Sequence, residues 1–232
     1  MDAAGPAAAI VARGLARRLG TRWALRGVDL DIPRGRMVMI AGPNGAGKTT
    51  LVRVLATALR PTRGTLALLG APADDPPRRD IGMVSHADHH YDSLSGRENL
   101  QLAADLGATR APLDAVLARV GLAARADDPV ATYSAGMRKR LAFARLLAKA
   151  PTLVLLDEPY AGMDPQGAAL VDSLLAQWRA DGTTVIVSTH QLGRVAPACD
   201  DAVLLRDGRV AWQGPAARMP AHDVGAAEAG TA

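Results

Sequence analysis

A glycine-rich segment at residues 42–50 constrains this chain more than any other feature of its sequence. It lies between an apolar stretch, Met37–Ala41, and a helical pattern over 51–59. Glycines let the backbone turn tightly and direct N–H groups inward, and the following helix N-terminus adds its positive dipole end. A lysine supplies a cation for the β- and γ-phosphates, and a threonine hydroxyl can ligate Mg²⁺. The sequence therefore predicts a binding site for ATP or GTP, built by Gly42, Pro43, Asn44, Gly45, Ala46, Gly47, Lys48, Thr49 and Thr50.

Length and composition indicate one well-packed domain. The 232 residues, of which 49% are hydrophobic, suffice for one sizeable core and exclude a wholly disordered chain. The 27 basic residues are scattered singly and in short runs such as Arg138-Lys139-Arg140, which favours a solvated basic surface over a nucleic-acid groove.

Cys199 is the only cysteine, so no internal disulfide is expected and a reducing compartment is favoured. No stretch approaches the roughly 20 apolar residues of a membrane span, and no signal-peptide pattern is present at the start, so we expect a cytoplasmic protein.

Apolar runs predict strands that alternate with helices. Strands buried on both faces are expected at 37–40, 153–156 and 185–188, and a half-buried strand around 28–32. Helical patterns cover 51–59, 97–106, 113–120, 137–149 and 167–179, and Ser95 with Glu98 forms a capping box for the second of them. A tight hairpin is expected at 203–213. The pattern predicts an α/β fold: a mainly parallel sheet wrapped by helices, with an antiparallel edge and a helical insert around 90–150.

The apolar strand at 153–156 ends in two carboxylates. Beside the phosphate loop, Asp157 would hold Mg²⁺ through a water, and Glu158 would polarise an attacking water in line with the leaving group. Acidic residues at strand ends are commonly solvated loop starters. Two of them after four aliphatic residues, in a chain with this phosphate loop, instead favour catalysis. The pattern predicts hydrolysis of the nucleotide.

A small-residue turn opens the helix predicted at 137–149. Its serine hydroxyl, Ser134, and the bare backbone of Gly136 suit a second phosphate contact at a helix N-terminus. An ordinary serine N-cap explains the same residues on local grounds alone.

The order of these motifs resembles that of the nucleotide-binding subunits of ATP-binding cassette (ABC) transporters over about residues 10–214. The resemblance implies a P-loop NTPase core with a helical signature subdomain at about 87–150. The segments at 1–9 and 215–232 are rich in small residues with few apolar anchors, and we expect a loose N-terminal segment and a flexible tail there. It implies that Ser134 and Gly136 contact the γ-phosphate of ATP held by a second copy of the chain, and that 161–164 cross the dimer interface. His190 matches the family's switch histidine, which contacts the γ-phosphate and holds the water beside Glu158. The alternative interpretation is that a single histidine at the end of a strand is a core residue whose ring is hydrogen-bonded to the backbone. Lys48, Glu158 and His190 are thus the expected catalytic residues.

Three positions depart from the family pattern. His86 stands where glutamine is usual, at a loop that senses Mg²⁺; a neutral imidazole can accept from a metal-bound water, but its ionisation near neutral pH makes the contact titratable. Leu19 stands where an aromatic residue usually stacks on adenine, and we expect Trp23 to compensate. The signature carries Ala135 and Met137 in place of glycine and glutamine.

The three histidines at 86, 89 and 90 suggest a metal or haem site as an alternative. Their spacing lacks helical i, i+4 support, and neither a cysteine nor a carboxylate pair joins them, which disfavours that interpretation.

Short strings point to a narrower group within the family. Residues 84–86, 91–94, 98–100, 133–137 and 157–160 are similar to those of the haem-exporter ATP-binding subunits of cytochrome c maturation. This likeness implies haem export, with another cargo such as a drug or a lipid as the alternative.

The family resemblance also implies the partners. Two copies would sandwich ATP with Mg²⁺, and hydrolysis would drive a separate integral membrane permease that docks near residues 86–100, so the chain would be peripheral on the inner face of the cell membrane. Two other classes stay open. A non-transport cytosolic ABC ATPase generally carries two cassettes or a long coiled-coil insert, and a kinase with the same phosphate loop requires an acceptor pocket.

Overall fold

The structure is a computed structural model that describes residues 8–85 and 89–220. The strands in these ranges are β1 (Ala8–Leu19), β2 (Arg22–Pro33), β3 (Met37–Ala41), β4 (Arg63–Leu68), β5 (Ala71–Pro72), β6 (Ile81–Val84), β7 (Leu153–Asp157), β8 (Thr184–Ser188), β9 (Asp201–Arg206) and β10 (Arg209–Pro215). The helices are α1 (Lys48–Leu55), α2 (Gly96–Gly107), α3 (Leu113–Arg119), α4 (Ala135–Lys149), α5 (Pro165–Ala180) and α6 (Leu192–Val195). Of the helices in the described ranges, none has the length and apolar character to cross a membrane.

The strands form two sheets. The larger has the order β10-β9-β3-β8-β7-β6 and is parallel from β9 to β6, while β10 pairs antiparallel with β9 at its edge. This arrangement confirms the predicted mainly parallel sheet with an antiparallel edge. The smaller sheet has the order β2-β1-β4-β5 and is antiparallel throughout. It was not predicted, because several register shifts between β1 and β2 interrupt the alternation of apolar and polar residues by which such strands are recognised.

Helix α1 lies in a core that both sheets share. Residues of β1, β2 and β4 meet α1 together with one face of the larger sheet. Successive side chains of β3 point to opposite faces, so Val38 and Ile40 enter this core while Met37 and Met39 face the other way. The segment that follows the phosphate loop is therefore held by both sheets at once.

Helix α4 contributes to two further cores. On the side of the larger sheet that carries α5, Phe143 and Leu146 pack with residues of β3, β7 and β8. On its other side, Leu141, Ala144 and Ala148 pack with α2 and α3 in a separate helical cluster. The helical part of the fold is thus joined to the sheet through α4.

Some boundaries differ from those expected from the sequence. Helix α1 begins at Lys48 and ends at Leu55, whereas the pattern predicted 51–59; Thr57 adopts a left-handed φ of 58°, and the chain leaves the helix before Pro61. At the ends of the described chain, Ala9 is fully buried within β1, and Ala216 is buried just after β10. Packed residues therefore extend slightly beyond the predicted domain limits of 10 and 214.

Cys199 is expected to be unreactive in the folded protein. The side chain packs in the core beside α5, and burial, together with the charge of Asp200, raises the pKa of its thiol to about 12. At pH 8 only about one thiol in ten thousand would then be ionised, against about one in four for an exposed cysteine. Titration with a disulfide reagent at pH 8 should be at least about 100-fold slower for native protein than for denatured protein. Equal rates in the two states would show that Cys199 is accessible.

Candidate functional site

The phosphate loop connects β3 to α1 and lies close against two neighbouring backbones. Gly47, with a φ of 105°, is the N-cap of α1, and a Cβ there would lie 2.5 Å from Ala24 O. A Cβ on Gly42 would lie 2.3 Å from Leu205 O. Only glycine fits at these two positions, because any side chain would clash with a backbone oxygen and would strain a left-handed conformation.

Lys48 folds back over this loop. Its Nζ donates to Gly42 O at 2.7 Å and to Pro43 O at 3.1 Å, and only 9% of the residue is exposed. Burial lowers the pKa of the lysine, while the carboxylates of Glu158 and Asp157 oppose that shift. The cation therefore lies at the site predicted for the phosphates, near both acidic residues.

Asp157 ends β7 beside the first turn of α1. Its Oδ1 accepts a hydrogen bond from Thr49 Oγ1 at 3.0 Å and another from Ser188 Oγ at 2.7 Å. The contacts arise because the carboxyl ends of parallel strands meet at one edge of a sheet, and Asp157 pairs with Ser188 in the register of β7 and β8. Ser188 was not predicted as a site residue; its position at the end of a buried strand was the available signal.

The oxygens of Thr49 and Asp157 fit a Mg²⁺ ion. Hydroxyl and carboxylate oxygens are hard ligands, and Mg²⁺ is usually held by one or two carboxylates together with waters and substrate phosphates. In the described part of the chain, no group of three or more His, Cys, Asp or Glu side chains could hold a metal by itself. The third predicted metal residue, His86, lies outside the described residues.

His90, from the alternative histidine site, has both ring nitrogens engaged. Nε2 lies 2.8 Å from Arg138 O, and Nδ1 lies 3.5 Å from Arg145 Nη1. A nitrogen beside a carbonyl oxygen must donate, so Nε2 carries the proton and Nδ1 accepts. These contacts disfavour His90 as a metal or haem ligand.

Glu158 and His190 form a pair at the edge of the site. His190 Nδ1 lies 2.8 Å from Glu158 Oε2, so Nδ1 carries a proton and donates to the carboxylate. The Glu158 backbone N–H donates to Ser188 O at 3.0 Å, and the residue has a φ of 49°, which is uncommon for a residue other than glycine. The two residues predicted to activate water are thus in direct contact.

A hydrogen-bonded network of the buried Tyr160 with the exposed Asp172 and Arg194 lies beside the segments that follow Glu158 and His190 in the chain. Tyr160 OH donates to Asp172 Oδ1 at 2.7 Å, and Arg194 Nη2 donates to Asp172 Oδ2 at 2.6 Å. The Arg194 guanidinium also lies 4.7 Å from the centroid of the Tyr160 ring. Burial raises the pKa of Tyr160, and the hydrogen bond from Arg194 lowers the pKa of Asp172. The network connects the segment after Glu158 to α6, which follows His190.

The phosphate loop opens into a pocket of about 570 Å³ whose far side contains Leu19, Arg22 and Trp23. Leu19 is 45% exposed, and the guanidinium groups of Arg18 and Arg63 lie 6.0 and 5.5 Å from the centroid of the Trp23 ring. The structure therefore brings Trp23 and the phosphate loop into one cavity. Sequence reasoning missed Arg22, which is one of many scattered arginines.

Ser134 and Gly136 lie apart from that pocket. Ser134 is exposed, caps α4 and accepts a hydrogen bond from Met137 N at 3.3 Å, as the N-cap interpretation requires. A Cβ on Gly136 would meet open space. In the described part of the chain, neither residue is among those that line the phosphate-loop pocket.

The sequence and the fold define the class of protein. The model of the ABC transporter family matches residues 25–161, which is more than half of the chain, and the chain belongs to this family. It is 38% identical over 225 residues to the daunorubicin resistance ATP-binding protein DrrA3 of Streptomyces coeruleorubidus, covering 94% of this chain and 71% of that protein. It is 34% identical over 203 residues to an uncharacterized ABC transporter ATP-binding protein, YdbJ, of Bacillus subtilis, covering 85% of this chain. The match spans 66% of YdbJ, slightly less than two thirds of its length.

Solved structures agree with this assignment. The chain is similar to a dimeric ATP-binding cassette in a post-hydrolysis state bound to ADP and Pi, with a TM-score of 0.79 and 26% identity. The match covers 89% of this chain and 98% of that one. The fold is that of an ABC-type ATPase domain, a P-loop NTPase with a helical subdomain.

Proposed function

We propose that this chain is the ATP-binding and ATP-hydrolysing subunit of an ABC transporter. The observation that carries the proposal is the set of contacts at one sheet edge, where Asp157 bonds Thr49 of the phosphate loop and Glu158 bonds His190. A nucleotide pocket, a metal position and a candidate base meet there.

The residues have distinct roles in hydrolysis. Lys48 binds the β- and γ-phosphates, and Thr49 and Asp157 hold Mg²⁺, which neutralises phosphate charge when bound. Glu158 accepts a proton from the attacking water as its oxygen bonds to the γ-phosphorus and the bond to the ADP oxygen breaks. His190, fixed as a donor from Nδ1, orients Glu158 and leaves Nε2 for the γ-phosphate or the water.

Two copies would form the complete site. The exposed position of Ser134, away from its own phosphate loop, supports a contact with ATP held by the partner subunit. The dimeric cassette with ADP and Pi supports the same arrangement. A triphosphate between the two copies would be neutralised from both sides and would stabilise the dimer, whereas hydrolysis would release it.

The proposed partner is an integral membrane permease, which ATP hydrolysis by this chain would drive. Ser85 and His89, on either side of residues 86–88, line a cleft between β6, α2 and α4 with a volume of about 170 Å³. Leu106 of α2 lines this cleft and is 68% exposed, and Tyr91, two residues after His89 in the chain, is 60% exposed. Exposed apolar side chains beside a cleft support docking of a partner there. The chain would then lie at the cytoplasmic face of the membrane.

Two substrates are proposed for the transporter, haem and a drug. The short strings near 84–100 and 133–137 support haem export in cytochrome c biogenesis. The name of the Streptomyces relative, a daunorubicin resistance protein, supports a drug as the alternative cargo.

Affinity purification from membranes in mild detergent tests the partner. We expect an integral membrane permease to co-purify with the chain, and Leu106→Glu to remove it, since a charge in an apolar contact is costly. Ala118→Glu, which adds the same charge to the exposed side of α3, is the control and should keep the permease. Co-purification with ribosomes, or with no membrane protein, would contradict transport. A haem-exporter permease would support the narrower version, and a drug permease would exclude it.

A further inference from the structure

Three consecutive basic residues follow the turn at 134–136 and contact two loops, the connection between β6 and α2 at two points and the loop at 161–164 at one. The contacts are Arg138 Nη1 to Asp92 Oδ1 at 2.6 Å, Lys139 Nζ to Ser85 O at 2.9 Å, and Arg140 Nη2 to Asp164 Oδ2 at 2.6 Å. Successive residues of an α-helix project about 100° apart, so three residues in a row reach partners in three directions from α4. The sequence indicated a solvated basic run here, and the structure corrects that expectation. We call Arg138, Lys139 and Arg140 the basic anchor.

Lys139 makes the most informative of these contacts. The residue is only 5% exposed, and its ammonium donates to the carbonyl oxygen of Ser85, which follows β6 and directly precedes His86. A buried ammonium group is costly unless it is hydrogen-bonded, so this position holds the end of β6 tightly to α4. The start of the proposed permease-docking segment is therefore attached to α4, the helix that Ser134 caps.

Arg140 attaches the loop at 161–164 to the same helix. Its side chain is 18% exposed, so the ion pair with Asp164 is partly removed from water. Asp164 is also the N-cap of α5, where its Oδ1 accepts from Gly167 N at 2.7 Å. One carboxylate thus joins α4 to α5 at the loop that follows Glu158 in the chain.

Arg138 attaches the segment that precedes α2. Its side chain pairs with Asp92, and its carbonyl oxygen lies 2.8 Å from His90 Nε2. Asn99 of α2 fixes the same segment, because its Oδ1 accepts from Tyr91 N and its Nδ2 donates to Tyr91 O. The middle of the proposed docking segment is held between α4 and α2.

We propose that the basic anchor positions the turn at 134–136 relative to these two loops, and so couples nucleotide contact across the dimer to the docking segment at 86–100. Arg138, Lys139 and Arg140 are positioning residues, since none of them lines the phosphate-loop pocket of its own chain in the described ranges. The inference rests on the proposed function, because it takes the nucleotide-bridged dimer as the state in which the turn acts. A displacement of the turn by a phosphate of the partner's ATP would move both loops together.

The test measures ATP-dependent dimerisation in a Glu158→Gln background, in which ATP is retained. Sedimentation with Mg·ATP gives the dimer dissociation constant, and a fluorescent ATP analogue gives the affinity of the monomer. Lys139→Met keeps the length of the side chain and removes its charge. We expect this variant to dimerise at least about tenfold more weakly, since a hydrogen bond from a charged group is lost. The affinity of the monomer for ATP should change less than about twofold. Arg119→Met, which removes an exposed charge from α3, is the control and should dimerise normally.

A double-mutant cycle on Arg140 and Asp164 separates positioning from stability. Asp164→Asn keeps an N-cap for α5 while it removes the ion pair, because asparagine caps as well as aspartate. We expect Arg140→Met and Asp164→Asn each to weaken dimerisation. The double variant should dimerise only slightly more weakly than either single variant, because the two residues interact. Arg140→Lys should dimerise more tightly than Arg140→Met.

The outcomes are distinct. If the Glu158→Gln protein does not dimerise with ATP, the proposed function itself fails. If it dimerises, and the anchor variants that remain folded dimerise as tightly as Arg119→Met, the anchor has only a structural role and the inference is overturned. A lowered unfolding temperature with an unchanged dimer constant for Arg140→Met would overturn it in the same way.

Discussion

Glu158→Gln should reduce ATP turnover about 1000-fold while ATP still binds, and it should trap a dimer in which two copies share the nucleotide. The amide keeps the size of the side chain and can accept the hydrogen bond from His190 Nδ1, but it cannot accept the proton of the attacking water. Phosphate release measures the first effect. Light scattering during size-exclusion chromatography with Mg·ATP measures the second.

The control for Glu158→Gln is a variant that loses one carboxylate outside the site. Asp75→Asn removes one carboxylate from an exposed loop and should leave both turnover and oligomeric state as in the parent protein. Turnover of the Glu158→Gln protein at the parental rate would reject Glu158 as the base. A variant that binds Mg·ATP and stays monomeric would reject the shared nucleotide, and with it the roles proposed for Ser134 and Gly136.

Lys48→Ala should weaken ATP binding by about 10- to 100-fold, in line with the loss of one or more hydrogen bonds to charged groups. The ammonium is buried over the loop, so a phosphate there would gain a contact little screened by water. The substitution also removes the donor to Gly42 O and Pro43 O, and the loop itself is expected to loosen. Calorimetric titration with Mg·ATP measures the affinity, and thermal unfolding without nucleotide measures the loosening.

The control for Lys48→Ala lies on the same helix. Arg53→Ala removes a charge from the last turn of α1 and should leave the affinity for ATP within about twofold, because surface charges at such distances are screened. An unchanged affinity in the Lys48→Ala protein would show that its ammonium serves only the loop. Phosphate recognition would then rest on the backbone amides at the start of α1.

The sequence predicted the phosphate loop and the acidic strand end because each is a short, local pattern with its own chemistry. Gly47 and Lys48 are adjacent in the chain, and Asp157 follows four aliphatic residues directly. Parallel strands then bring these ends to one edge, so the contact between Thr49 and Asp157 follows from the fold class.

Other parts of the site depend on contacts between distant residues with ordinary local patterns. In the sequence, nothing distinguishes Lys139 from the other basic residues, and its contact with Ser85 O forms only in the folded chain. Asp172 and Arg194 lie on different helices, and nothing in their spacing indicates that Tyr160 joins them. The smaller sheet escaped prediction for a similar reason, since its long strands are irregular and pair with partners distant in sequence, such as β1 with β4.

Helix α4 packs on the larger sheet through Phe143 and Leu146 and on α2 and α3 through Leu141 and Ala144. Close-packed side chains resist the opening of voids, so a displacement of α2 and α3 that leaves both clusters intact must carry α4 with it. Helix α4, which Ser134 caps, would therefore transmit a force on α2 and α3 to the larger sheet.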